Sequence, residues 1–181
     1  PEVNDWQLSD LEIDLPEGSS PTEQVLGCDE VITFLDTCGM EVTEQHKKDS
    51  TSVQNQLEAE LVAEIVTQII RTGIDLTKAG VITPYNDQVE LINKLIKEEE
   101  IEVDTVDGFQ GREKEIIILS LVRSNEGENI GFLKDIRRLN VSLTRAKKKL
   151  IIIGDSQTIT FHQVYQDLVA YAKEKGFYYE L

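Results

Sequence analysis

The chain predicts an α/β fold: a mostly parallel sheet with helices on both faces. Two observations predict it. Short apolar runs alternate almost throughout with stretches whose apolar residues recur at helical spacing. The most apolar of the runs, "EIIILSLV", suits a strand covered on both sides. In such a sheet the ligand site is expected at the carboxyl ends of the strands.

Taken in order, the acidic opening Pro1 to Gly27 has no apolar period and two Gly/Ser/Pro stops, so residues 1–27 read as a lead-in segment or linker. "EVITFLD", Glu30 to Asp36, is a short β-branched strand. "EQHKKDSTSVQN" is polar and reads as a surface loop. Leu57, Leu61, Ile65, Ile69 and Ile70 mark a helix ending before Gly73. "AGVITP" is a buried strand, and Val89, Ile92, Leu95 and Ile96 mark the next helix. "IEVDTV" and "EIIILSLV" read as strands, "LKDIRRLNVSLTRAKK" as a helix and "LIIIGD" as a strand. Thr158 to Lys175 reads as a closing helix before Gly176.

The chain has 181 residues and a formal net charge of -16, enough length for one substantial core. No apolar run reaches membrane-spanning length, and the first residues lack the pattern of a secretory signal; an intracellular setting is expected. Cys28 and Cys38 are too few for a disulfide framework, so reduced thiols and no structural metal are expected. Charge is unevenly spread. Residues 1–60 hold 15 acidic and 2 basic residues, whereas residues 105–155 hold 7 acidic and 10 basic, so an acidic chain contains a basic third suited to phosphates or simply to solvent.

Four groups of residues fall at strand ends. In "VITPYN", Thr83 is placed to cap a helix beginning at Pro84, with amides open to an anion. In "TVDGFQGREKEIIILSLVRSN", Gly108 and Gly111 allow tight backbone geometry while Gln110, Arg112 and Glu113 present polar groups; a solvated turn is the plainer alternative. In "DIRRLNVSLTRAKKKL", a continuous helix would project Arg138 and Arg145 together beside Ser142. An anionic ligand or a salt bridge would partner them, and the lysines would favour the helix carboxyl end. Asp155 reads as a helix cap. No "GxxxxGK[ST]" phosphate loop occurs in the chain.

Together "GVITPYNDQ", "TVDGFQGREKEIIILSLVRSN" and "GFLKDIRRLNVSLTRAKKKLIIIGD" resemble the late motifs of superfamily 1 helicases. The resemblance is to the branch of the nonsense-mediated-decay, immunoglobulin mu-binding protein 2 and yeast DNA polymerase alpha-associated helicases. "FLDTCGMEVTE" is similar to that branch too, so the likeness covers roughly Glu30 to Ser156. It implies that residues 28–181 form the second, C-terminal RecA-like domain of an ATP-driven 5'-to-3' motor on single-stranded DNA or RNA. By the same resemblance Arg145 reaches the ATP γ-phosphate, Glu113 binds the ribose, and Gly111 and Gln110 flank that contact. Thr83 and Thr105 touch the nucleic-acid backbone. Arg138 is carried over to the nucleotide site, with a structural role as the alternative.

ATP with Mg²⁺ is then expected to bind jointly with a first RecA-like domain that this chain lacks, and the chain alone is expected to be inactive. Implied partners are that first domain, single-stranded DNA or RNA, and replication or ribosome-associated proteins, in the cytoplasm or nucleus and with no membrane. The competing reading is a non-catalytic adaptor whose acidic part docks a basic protein.

Overall fold

The apolar runs assemble into one six-stranded sheet in the computed structural model, which describes residues 20–27, 29–127 and 129–181. The strands are β1 (Ile32–Asp36), β2 (Ala79–Thr83), β3 (Glu102–Thr105), β4 (Lys114–Ser120), β5 (Ala146–Gly154) and β6 (Phe177–Glu180). Their order is β3-β2-β4-β5-β1-β6, and every neighbouring pair is parallel. Parallel neighbours need crossovers, so their carboxyl ends share one rim of the sheet and their amino ends the other.

One face is covered by α1 (Pro21–Gly27), α2 (Gln56–Arg71) and α3 (Asn86–Leu95). The long helix α2 starts where Asn55 accepts the Glu58 N–H and stops before Gly73, which lies at φ +75. It buries Ala59, Leu61, Val62, Ile65, Val66 and Ile69 against β2, β4 and β5, and each larger side chain contributes about 1.5–3 kcal/mol by leaving water. The opposite face is covered by α4 (Ile136–Leu143), α5 (Ser156–Ile159) and α6 (Gln163–Lys175), around Phe34, Phe109, Ile117, Ile152 and Tyr165. Helices on both faces are therefore present as expected.

Several local expectations are corrected. The helix expected over "LKDIRRLNVSLTRAKK" is a 3-10 turn at Gly131–Lys134 followed by α4, which ends at Leu143. The Thr144 hydroxyl donates to Asn140 and Val141 carbonyls and Arg145 Nε donates to Val141, so side chains take up the helix's last carbonyls and the chain turns. Ala146 and the three lysines then enter β5, where pairing to β4 overrides their helical propensity. Lys149 is fully buried with Nζ on the Glu30 carbonyl, so the lysines are not a helix-end charge cluster.

Thr83 is not a cap. Tyr85 occupies that position for α3, and the Asp87 amide is met instead by the Ser52 hydroxyl. The single closing helix is two, because Asp155 caps α5 and His162 caps α6. The sheet also gains β6, an aromatic edge strand that pairs with β1. Of the segment 1–27, residues 1–19 lie outside the described residues, as does Cys28, while Val25 and Leu26 of α1 are part of the core.

Candidate functional site

Arg145 sits in the turn between α4 and β5, on the amino-end rim, where its carbonyl accepts the Lys114 N–H. Its guanidinium is spread over three neutral acceptors: Val141 O at 3.1 Å, Arg112 O at 3.3 Å and Thr144 Oγ1 at 3.1 Å. It has no carboxylate partner among the described residues, so its charge is oriented but not neutralised. Glu113 lies on the same rim, half exposed and 3.7 Å from Lys147.

The crossover from β3 to β4 carries the glycine-rich stretch. Gly111 has φ +82, a region that favours glycine, and a Cβ on Gly108 would overlap the Asp104 carboxylate. Arg112 pairs with Glu102 and with Asp104 at 2.9 Å and lies over the Phe109 ring, so it clamps the crossover to β3. Gln110 is exposed beside Gly111. Thr105, at the carboxyl end of β3, accepts the Gly108 N–H at 3.2 Å.

The candidate residues thus divide between two rims. Gln110, Gly111, Glu113 and Arg145 gather at the amino ends of β4 and β5, and Thr83 and Thr105 stand at the carboxyl ends of β2 and β3. The candidate residues therefore do not all stand at carboxyl ends, because the crossover brings its glycine-rich turn back to the start of β4. Arg138 and Arg145 do not share a helix face: Arg138 pairs with Asp107 at 2.7 Å, on the other side of the crossover turn.

The carboxyl rim is the most polar part of the interior. Glu58 is completely buried; Ser120 Oγ donates to it at 2.7 Å and the Val122 N–H at 2.8 Å, while its Oε1 has no partner among the described residues. Desolvation pushes its carboxyl up to about 8, against the two hydrogen bonds that favour the charged form. Val122 is at φ +72, a conformation that is strained for a β-branched residue. Gln88 joins Asn55 to Ser120. Thr83 is fully buried, with its hydroxyl unpartnered among the described residues.

Over this network lies the loop read as a simple surface loop. Glu44 binds Arg123 and the Ser124 amide, Gln45 bridges to Gln54, and Val53 packs with Tyr85 and Val122. None of Glu44, Glu58, Arg123 or Phe132 was singled out from the sequence. Glu58 alone left a signal there, as a charge on the apolar stripe with Leu61 and Ile65.

Chemically, the amino rim offers an uncompensated guanidinium and a carboxylate, groups that suit a phosphate and a sugar hydroxyl. The sequence profile of a family described as an AAA domain matches residues 6–157. An uncharacterized ATP-dependent helicase of Methanocaldococcus jannaschii is 47% identical over 144 residues, covering 78% of this chain and 20% of that protein. The DNA-binding protein SMUBP-2 of Rattus norvegicus is 40% identical over 147 residues, 80% of this chain and 15% of that protein. The DNA polymerase alpha-associated DNA helicase A of Schizosaccharomyces pombe is 44% identical over 147 residues, 75% of this chain and 22% of that protein. The chain therefore spans only about a fifth of the length of such relatives. No helix among the described residues is long and apolar enough to cross a membrane.

Proposed function

The chain belongs to the AAA domain family, in the superfamily 1 helicase branch identified from its motifs, and from that premise we propose that it is the second RecA-like domain of an ATP-driven 5'-to-3' helicase. Its role is to supply the arginine that completes an ATP site and part of a track for single-stranded DNA or RNA. The observation that carries this reading is Arg145: a guanidinium fixed by backbone carbonyls and Thr144, ion-paired to no carboxylate among the described residues, on the same rim as Glu113.

ATP would supply the phosphoryl group to be transferred, with Mg²⁺ held by a first RecA-like domain elsewhere in the intact protein. The residues present fit the other half of that site. Arg145 has forked donors to share with phosphate oxygens, and an arginine contributed across a cleft is worth about 10³–10⁵ in rate. Glu113, paired only with a half-exposed lysine, can exchange that partner for ribose hydroxyls. Gly111 holds the turn that brings Gln110 and Glu113 to the rim. Arg138 already has Asp107 at 2.7 Å, which supports its structural alternative. Thr105 presents the track at the carboxyl rim; Thr83, whose buried hydroxyl has no partner among the described residues, is kept in it. Gripping would alternate as the cleft closes on ATP and opens after hydrolysis. Backbone contacts of this kind give strong salt dependence and slight sequence preference.

The test is ATP turnover by the intact protein, with and without poly-dT or poly-rU, in wild type and Arg145→Ala. Loss of stimulated turnover in a folded variant is expected; unchanged turnover removes Arg145 from the mechanism. The 181 residues alone are expected to give none, having no phosphate loop. Replication or ribosome-associated partners and a cytoplasmic or nuclear setting belong to this same proposal.

A further inference from the structure

Phe132 is a large apolar side chain left 53% exposed, yet it is held in place from several sides. Its amide donates to the Tyr85 hydroxyl at 3.2 Å, and Arg123 donates to the same hydroxyl at 3.4 Å. The Tyr85 ring lies 5.5 Å away, tilted by 52°, and the Arg138 guanidinium is 5.6 Å from the Phe132 centroid. Gly131 makes this approach feasible: at φ +52, a Cβ there would stand 2.5 Å from the Tyr85 hydroxyl and 2.7 Å from Arg123. A fixed, half-open ring loses little conformational freedom when something stacks on it.

Its surroundings indicate what does. Phe132 helps line a shallow cleft with Pro84, Val106, Leu133 and Arg138. Pro84 follows Thr83 and Val106 follows Thr105, so the ring stands beside both threonines assigned to the nucleic-acid track. Around it Lys134 and Arg137 are exposed, Arg137 by 94%, and Arg138 is half-buried. A single ring among three cations, two of them paired with the accessible carboxylates of Asp135 at 3.5 Å and Asp107 at 2.7 Å, is too small and too charged a patch for an apolar protein face. It matches a base with its phosphates.

We infer that Phe132 is a stacking platform for one base of the bound single strand, with Lys134 and Arg137 meeting the flanking phosphates and Arg138, held by Asp107, steadying the ring. The inference rests on the helicase reading and deepens it by naming a base contact where only backbone contacts were assigned.

The test is anisotropy titration of labelled oligo-dT and oligo-rU with the intact protein at several salt concentrations. Phe132→Trp keeps an aromatic face and should bind as wild type does; Phe132→Leu keeps bulk without the face and should bind roughly tenfold more weakly. The Leu variant should leave the salt slope unchanged, whereas Arg137→Ala should lower it by about 0.7, the single-strand value for one phosphate. Equal affinities for the Leu variant and wild type would overturn the inference, as would equal weakening by Leu and Trp, which marks a packing role. Absence of oligonucleotide binding by the wild type would instead overturn the helicase reading on which it rests.

Discussion

Arg123 Nη2 and Glu44 Oε1 lie 2.9 Å apart, with side chains 7% and 9% exposed, and this pair ties the loop after β1 to the segment after β4. Glu44 also accepts from the Ser124 amide and from Asn125 Nδ2, both at 2.9 Å. Glu44→Ala should therefore strand a buried guanidinium and cost about 3–5 kcal/mol, measured by urea denaturation. The same variant should open the loop to trypsin at Lys47 and Lys48. A variant that melts as wild type does and resists trypsin would show that the pair does not hold the loop.

Glu58 makes stability depend on pH. Its folded value, raised by desolvation to about 8, lies above its ordinary 4.5, so the folded state binds the extra proton between those values. Its stabilising contribution is complete below about pH 4.5 and is lost as pH rises through about 8. Glu58→Gln should flatten that part of the stability profile, by roughly a few kcal/mol across the window. Thermal melts of both proteins from pH 5 to 8.5 test this; parallel profiles would mean that Glu58 does not titrate there.

Five of the six strands were legible as short runs between helical stretches, the aromatic edge strand β6 was not, and α2 was legible because its stripe repeats from Leu57 to Ile70. What was illegible depended on tertiary partners. Ala146 to Lys149 has helical propensity, and only pairing with β4 makes it a strand. Arg145 was named from a motif, but its position came out of a turn that Thr144 and Arg145 themselves build. The Glu44 and Arg123 pairing joins residues 79 positions apart, with no local pattern to announce it. Phe132 lies just before the helix expected from Leu133 and carried no signal of its own; the 3-10 turn at Gly131–Lys134 is what leaves it exposed.

Thr83 allows stability and binding to be separated. Its side chain is fully buried and its hydroxyl has no partner among the described residues, so Thr83→Val removes an unsatisfied polar group at nearly constant volume. Stability should hold or rise by about 1 kcal/mol. If the hydroxyl serves the track when the rim opens, affinity for oligo-dT should fall at the same time. A variant both stable and fully binding would leave Thr83 outside the track.

Arg145→Lys asks whether a charge is enough. The arginine makes three bonds through Nε, Nη1 and Nη2, which aim the planar group along the rim. Lysine keeps the charge but has one nitrogen and cannot serve those acceptors while also meeting two phosphate oxygens. The Val141 carbonyl would lose a side-chain donor, a stability loss of about 0.5–1.5 kcal/mol that leaves the intact protein folded. Nucleic-acid affinity, which the proposed track puts at the opposite rim, should change little. Stimulated kcat should fall by about 10³ or more while KM for ATP moves far less, because the lost interaction belongs to the transition state. A lysine variant with near-wild-type kcat would reduce the role of Arg145 to that of a general positive charge, and a parallel rise in KM alone would assign it to ground-state binding.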